Sequence, residues 1–215
     1  MGSFLRPFLG ASLLAVFQLA AAPAARAASE PDTLITAKPE PRPWFRPRHL
    51  VVQTGGGLGM VAAGTGYEFW DKRTEVDVLL GFVPARYAGN SLVIVSAKLL
   101  YSPPAWTLPL GTKWQVRPLT AGAYVSHTRG NANDGKRGQY PEGYYWFSTN
   151  TRVGPLLGSR LTHILPTKAS EQPRSLSFYY ELSTNDLYLL SYVQNTRGLS
   201  LDDIAVLSLG VKVDF

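Results

Sequence analysis

The chain has 215 residues, a formal net charge of +6, only 17% charged residues, eleven tyrosines, five tryptophans and no cysteine. The absence of thiols excludes disulfides, a lipidated cysteine anchor and any cysteine-based metal site. Basic residues are scattered rather than gathered into a stripe, which does not suit a nucleic-acid binder.

The N-terminus carries Arg6, an apolar run from Leu9 to Ala22 and the small-x-small signature Ala25-Arg26-Ala27. These are the parts of a cleaved secretory signal peptide over residues 1–27, the alternative being a buried N-terminal helix. Residues 28–47 are proline-dense (Pro31, Pro39, Pro41, Pro43, Pro47) and read as an extended periplasmic lead-in. Trp44 and Phe45 suit an anchor at a membrane interface, and equally a tether with two incidental rings.

From His49 onward the chain reads as strands of period two. The first is expected over Leu50–Met60, with its glycines marking a bend, followed by a turn at Ala63-Gly64-Thr65-Gly66. A second, Tyr67 to Trp70, runs into a polar turn at Asp71-Lys72-Arg73. Further strands are expected over Thr74–Val83, Ser91–Tyr101 and Trp114–Thr128, the last with a bulge or a late start at Pro118. A polar loop at His127–Gly143 precedes a sixth strand at Tyr144–Leu157. The connections Ser102–Thr112 and Ser159–Ser175 are long for the periplasmic turns of a barrel. After a strand at Leu176–Leu182, residues Thr184–Gln194 fit either a continued strand or a short helix capped by Ser183, Thr184 or Asn185.

The last stretch, Ile204 to Phe215, is the clearest. Phe215, Val213, Val211, Leu209, Leu207 and Ala205 form one apolar row, while Asp214, Lys212, Gly210 and Ser208 lie in the other phase. This resembles the terminal strand of bacterial outer-membrane barrel proteins, whose final aromatic residue is read by the assembly machinery. On that resemblance Phe215, Val213, Val211 and Leu209 form the assembly signal. From about His49 to Phe215 the pattern is similar to small outer-membrane β-barrel domain proteins of Gram-negative bacteria. It implies an all-β fold, an eight-stranded antiparallel transmembrane barrel over residues 48–215, in the outer membrane as a monomer. The implied partners are outer-membrane lipid, lipopolysaccharide and the barrel-assembly machinery, with both chain ends on the periplasmic side.

If the apolar rows face lipid, the opposite phase points inward with Glu68, Glu75, Asp77, Lys98, Arg152, Glu181, Lys212 and Asp214. Buried charges must pair or stay hydrated, so a polar network plugging the interior is expected. Such a plug suits neither a diffusion pore nor an acyl-chain pocket; its functional rival is a narrow ion or proton path.

Catalytic chemistry has one candidate set: Ser126, His127 and Glu142, with Asp134 nearby, where the fifth strand meets the long loop. Barrel enzymes that deacylate or palmitoylate lipid A are similar in architecture and residue types, but the deacylase's His-x-Ser-Asn stretch is missing. A loop-edge histidine with ordinary hydrogen bonds is the plainer reading. His49 and His163 are expected apart from it, so neither a metal site nor a cofactor is expected. Gly55-Gly56-Gly57 lacks the Lys-Ser/Thr of a phosphate loop. Aromatics near strand ends fit membrane girdles, with a carbohydrate platform at Pro141–Trp146 as rival. The sequence therefore favours a non-enzymatic barrel with a structural or surface-contact role. The alternatives are a lipid-A-modifying enzyme and a soluble periplasmic barrel holding a lipophilic ligand.

Overall fold

The computed structural model describes residues 46–69, 73–103, 106–130, 147–166 and 174–215. The expected signal peptide 1–27, the lead-in as far as Phe45, Trp70 to Lys72, and the loop section 131–146 with Asp134 and Glu142 lie outside the described residues.

Among the described residues nine strands form one antiparallel sheet: β1 (His49–Gly55), β2 (Val61–Phe69), β3 (Thr74–Val83), β4 (Leu92–Tyr101), β5 (Leu108–Leu110), β6 (Trp114–Arg129), β7 (Thr151–Ile164), β8 (Ser175–Ser183) and β9 (Val206–Asp214). Short helices α1 (Ala85–Ala88), α2 (Asp186–Gln194) and α3 (Leu201–Ile204) sit in the connections. β1 pairs with both β2 and β9, and β4 with both β3 and β6. Among the described residues β5 pairs only with β6, and the β4–β6 pairing closes the other eight strands into a ring with no free edge. The two ends of the ring meet, with Phe215 N–H donating to the Arg48 carbonyl at 3.2 Å. No helix among the described residues is long and apolar enough to cross a membrane.

The strand alternation sorts side chains into two environments. Along β3, Glu75, Asp77 and Leu79 are buried, whereas Val78, Leu80 and Phe82 are exposed. Along β9, Ser208 and Lys212 are buried, whereas Leu207, Leu209 and Val213 are exposed. A smaller apolar cluster inside, including Val51, Leu58, Leu79, Leu100, Tyr124, Leu156 and Tyr179, packs around the polar groups.

Three strand boundaries differ from the sequence expectation. β1 ends at Gly55, not Met60, because Gly55, Gly56, Gly57 and Gly59 all take positive φ and reverse the chain. Leu58 at that turn folds into the barrel. Ala63 to Gly66 is consequently not a turn but the middle of β2, paired with β1 and β3. The sixth barrel strand is Thr151–Ile164 rather than Tyr144–Leu157; its Gly158-Ser159 pairs continuously with β8, and Gly158 also with Thr120 of β6, instead of opening a loop. That shortens the following connection to residues 165–174. The connection after β4 is long because β5 folds back on the start of β6, pairing Leu108 with Val116.

Pro118 coincides with a register shift in β6 between Arg117 and Thr120, so residues on either side of it change phase. The ambiguous segment after β8 is helical: the Asn185 side chain accepts from Tyr188 N–H at 2.9 Å and starts α2. Asn185→Ala is expected to cost the helix about 1 kcal/mol. Amide hydrogen exchange should speed up in α2 while the amides of β1–β4 keep their protection.

Candidate functional site

The inward faces of seven strands converge on an ionic cluster, built because alternate residues of every strand must point inside. Glu75 on β3 is its centre. The Arg160 guanidinium from β7 grips it with two parallel hydrogen bonds, each 2.6 Å. Arg117 from β6 donates at 3.1 Å and Lys212 from β9 at 2.7 Å. Asp77, two residues on, pairs with the same Lys212 ammonium at 2.7 Å and with Lys98 at 3.6 Å. His49 Nε2 lies 2.7 Å from Asp77 Oδ1. Lys98 from β4 also donates to Gln53 at 2.7 Å and to Glu181 at 3.0 Å.

Tyr179 ties the halves together. Its hydroxyl donates to Gln53 Oε1 at 2.9 Å, and the Lys98 and Lys212 ammoniums lie 5.0 and 5.6 Å from its ring centre. That range permits a cation–π attraction. Lys98 and Lys212 are 1% and 0% exposed, so their charges are matched by carboxylates, not by solvent. Room for the His49–Asp77 pair comes from Gly66, where a Cβ would overlap both side chains.

The structure brings together five of the residues singled out from the sequence: Glu75, Asp77, Lys98, Glu181 and Lys212. Glu68 and Asp214 are only half-buried and sit beside His49 at the mouth where the barrel's chain ends meet. Arg152 lies at the other end, donating to the carbonyls of Ser148, Thr149 and Thr151 and facing Asp186 at 3.9 Å. The row Leu209, Val211, Val213 and Phe215 lies on the outward face of the C-terminal strand and its end.

Sequence reasoning missed Arg160, Arg117, His49, Gln53 and Tyr179. Arg160 fell in a supposed connection, Arg117 precedes the phase change at Pro118, and His49 was placed before the first strand. One signal was available: the inward set had more acids than bases, and a dry interior cannot keep such an excess unmatched.

Of the candidate catalytic residues, the described ones, Ser126 and His127, are not brought together. Ser126 and His127 are consecutive on β6 and point to opposite faces, Ser126 buried and His127 exposed. His127 Nδ1 lies 3.0 Å from Thr151 Oγ1, an ordinary cross-strand contact, and Glu142 lies outside the described residues. Near the strand ends Tyr87, Tyr101, Trp106 and Trp114 are exposed, Trp114 lying 4.4 Å ring to ring from His163.

Removing Glu75 takes the carboxylate from Arg160 and Arg117 and leaves Lys212 with Asp77 alone, whereas removing Glu181 leaves Lys98 with Gln53 and Asp77. Glu75→Ala is expected to destabilise the barrel by about 3–5 kcal/mol, and by more than Glu181→Ala. Urea unfolding in detergent, followed by tryptophan fluorescence, measures both.

No protein-family model matches the chain, and neither does any curated protein or solved structure.

Proposed function

We propose that this is an integral outer-membrane protein of a Gram-negative envelope. In this reading a signal peptide over 1–27 exports the chain. Residues 48–215 then form a monomeric transmembrane barrel with a non-enzymatic structural or surface-contact role and a plugged interior. The carrying observation is the inversion of polarity. Leu50, Leu80, Val95, Leu157, Phe178 and Leu207 are all about half exposed on the outside, while Lys98, Lys212, Glu75 and Asp77 are sealed within.

A water-soluble barrel gains its stability by the opposite arrangement, because burying apolar area drives folding. Hydrocarbon reverses the preference of the outer wall and requires every backbone group in the layer to be paired, which ring closure provides. Barrel strands of 7 to 16 residues bracket the roughly 9–11 residues that cross a bilayer at a tilt. The exposed rings near the strand ends suit the two interfaces. The mouth with both chain ends would face the periplasm, and the connections carrying α1, α2 and α3 would face the exterior.

Outer-membrane lipid, lipopolysaccharide and the barrel-assembly machinery are the partners that follow, the last reading Leu209, Val211, Val213 and Phe215. Nucleic acid has no place in this scheme. A soluble lipophilic carrier is disfavoured because ion pairs occupy the space an acyl chain needs. The opposed faces of Ser126 and His127 likewise disfavour a hydrolase.

In membrane fractions, unheated protein should migrate differently from boiled protein on a detergent gel. Leu80→Arg should destabilise the vesicle-embedded barrel by up to about 2–4 kcal/mol, the midplane value. Recovery of the wild type in the soluble periplasmic fraction refutes the membrane assignment. His127→Ala should leave the lipid A mass spectrum unchanged; a shifted acyl pattern would restore the enzyme reading.

A further inference from the structure

His49 is the buried residue whose second nitrogen has no hydrogen-bond partner. Its side chain is 1% exposed, Nε2 is committed to Asp77 Oδ1 at 2.7 Å, and Nδ1 is unpartnered. With the proton on Nε2, Nδ1 directs a lone pair at Asp214 Oδ1, 3.9 Å away. That is too far for a hydrogen bond and sets lone pair against carboxylate. An ion held about 2.0–2.2 Å from each ligand spans such a gap.

A third donor is in place. His49, Glu68 and Asp214 each offer a ligand atom, all within 4.8 Å of one another. Both flanking ligands are oriented from behind. Asp77 holds the imidazole, and Ser175 Oγ donates to Asp214 Oδ2. A carboxylate behind a histidine ligand fixes its tautomer and raises its basicity. Gly66 leaves space for that carboxylate–histidine pair. The neighbouring trio His49, Glu75 and Asp77 belongs to the ion-pair cluster, its acids held by Lys212, Lys98 and Arg160.

We propose that His49, Glu68 and Asp214 form a site for a divalent transition-metal ion of the zinc class, at the barrel mouth where the chain ends meet. One imidazole and two carboxylates are a borderline donor set that suits Zn²⁺ better than Mg²⁺ or Ca²⁺, which prefer oxygen alone. The ion would cross-link β1, β2 and β9, joining the first and last strands of the ring. The site rests on the barrel's closure and not on its membrane location, so the two can fail separately.

The test is Zn²⁺ titration of the full chain folded in detergent, with bound metal counted by mass spectrometry after dialysis. The wild type should hold one Zn²⁺ per barrel. Asp214→Asn and Glu68→Gln should each weaken binding by roughly tenfold or more, while Asp203→Asn, on α3, should not. Co²⁺ in its place should show visible absorption bands that either ligand variant alters. If Asp214→Asn fails to fold, Glu68→Gln decides alone. The proposal is overturned if the folded wild type binds no Zn²⁺, or if both ligand variants bind it as the wild type does. It is equally overturned if nitrogen-15 NMR shows both His49 nitrogens protonated and unmoved by Zn²⁺.

Discussion

The contact on which the barrel depends is Lys212 held between Glu75 and Asp77, both at 2.7 Å, with Arg160 closing on the far side of Glu75. These groups come from β3, β7 and β9, so the cluster spans the lumen rather than stitching one pair of neighbours. Sliding any one of those strands by a single residue would carry its charge to the apolar outside. The ions therefore specify register across the ring, which closure alone does not. A buried pair adds little net stability over well-packed apolar side chains, yet losing one member leaves an uncompensated charge. That asymmetry makes the cluster a strong determinant of a single arrangement.

The outer wall is the complement of this interior. The charged side chains of β3, β4, β8 and β9 occupy the inward phase, beside Leu79, Ile94 and Leu100, while the outward phase is mostly Val, Leu, Phe and Tyr. One alternation thus sets both environments, and the reading of the protein as a membrane barrel rests on that coupling. The same interior argues for a role carried by the loops and the wall. Where an acyl chain or a column of water would have to pass, the space is filled by Tyr179, Gln53 and the ammoniums around them.

The architecture was legible where period two ran uninterrupted. The stretch Leu207 to Phe215 and the stretch Thr74 to Val83 announced half-buried strands, while Asn185 stood among three possible caps and Pro118 allowed a bulge or a late strand start. Elsewhere the local code was ambiguous. Glycine signals both a chain reversal and a close approach: Gly55 to Gly59 turn the chain, whereas Gly66 makes room for His49 and Asp77. Gly158-Ser159 resembles a turn in isolation and is held in β7 only by its neighbours β6 and β8. Placing Arg160 in a loop followed directly from that. His49 was hidden because its partners lie on other strands: Asp77 two strands away across Gly66, and Asp214 on β9, which meets it only when the ring closes.

Lipid contact along the outer wall is measured most directly by nitroxide labels at Leu80, Leu157 and Leu209, with Val193 on α2 as the reference. The labelled barrel is placed in phospholipid vesicles, and electron paramagnetic resonance compares relaxation by oxygen with relaxation by a water-soluble nickel complex. The account predicts that oxygen dominates at the three strand positions and the nickel complex at Val193. Nickel relaxing Leu80 and Leu209 as strongly as Val193 would place the apolar wall in water and contradict it.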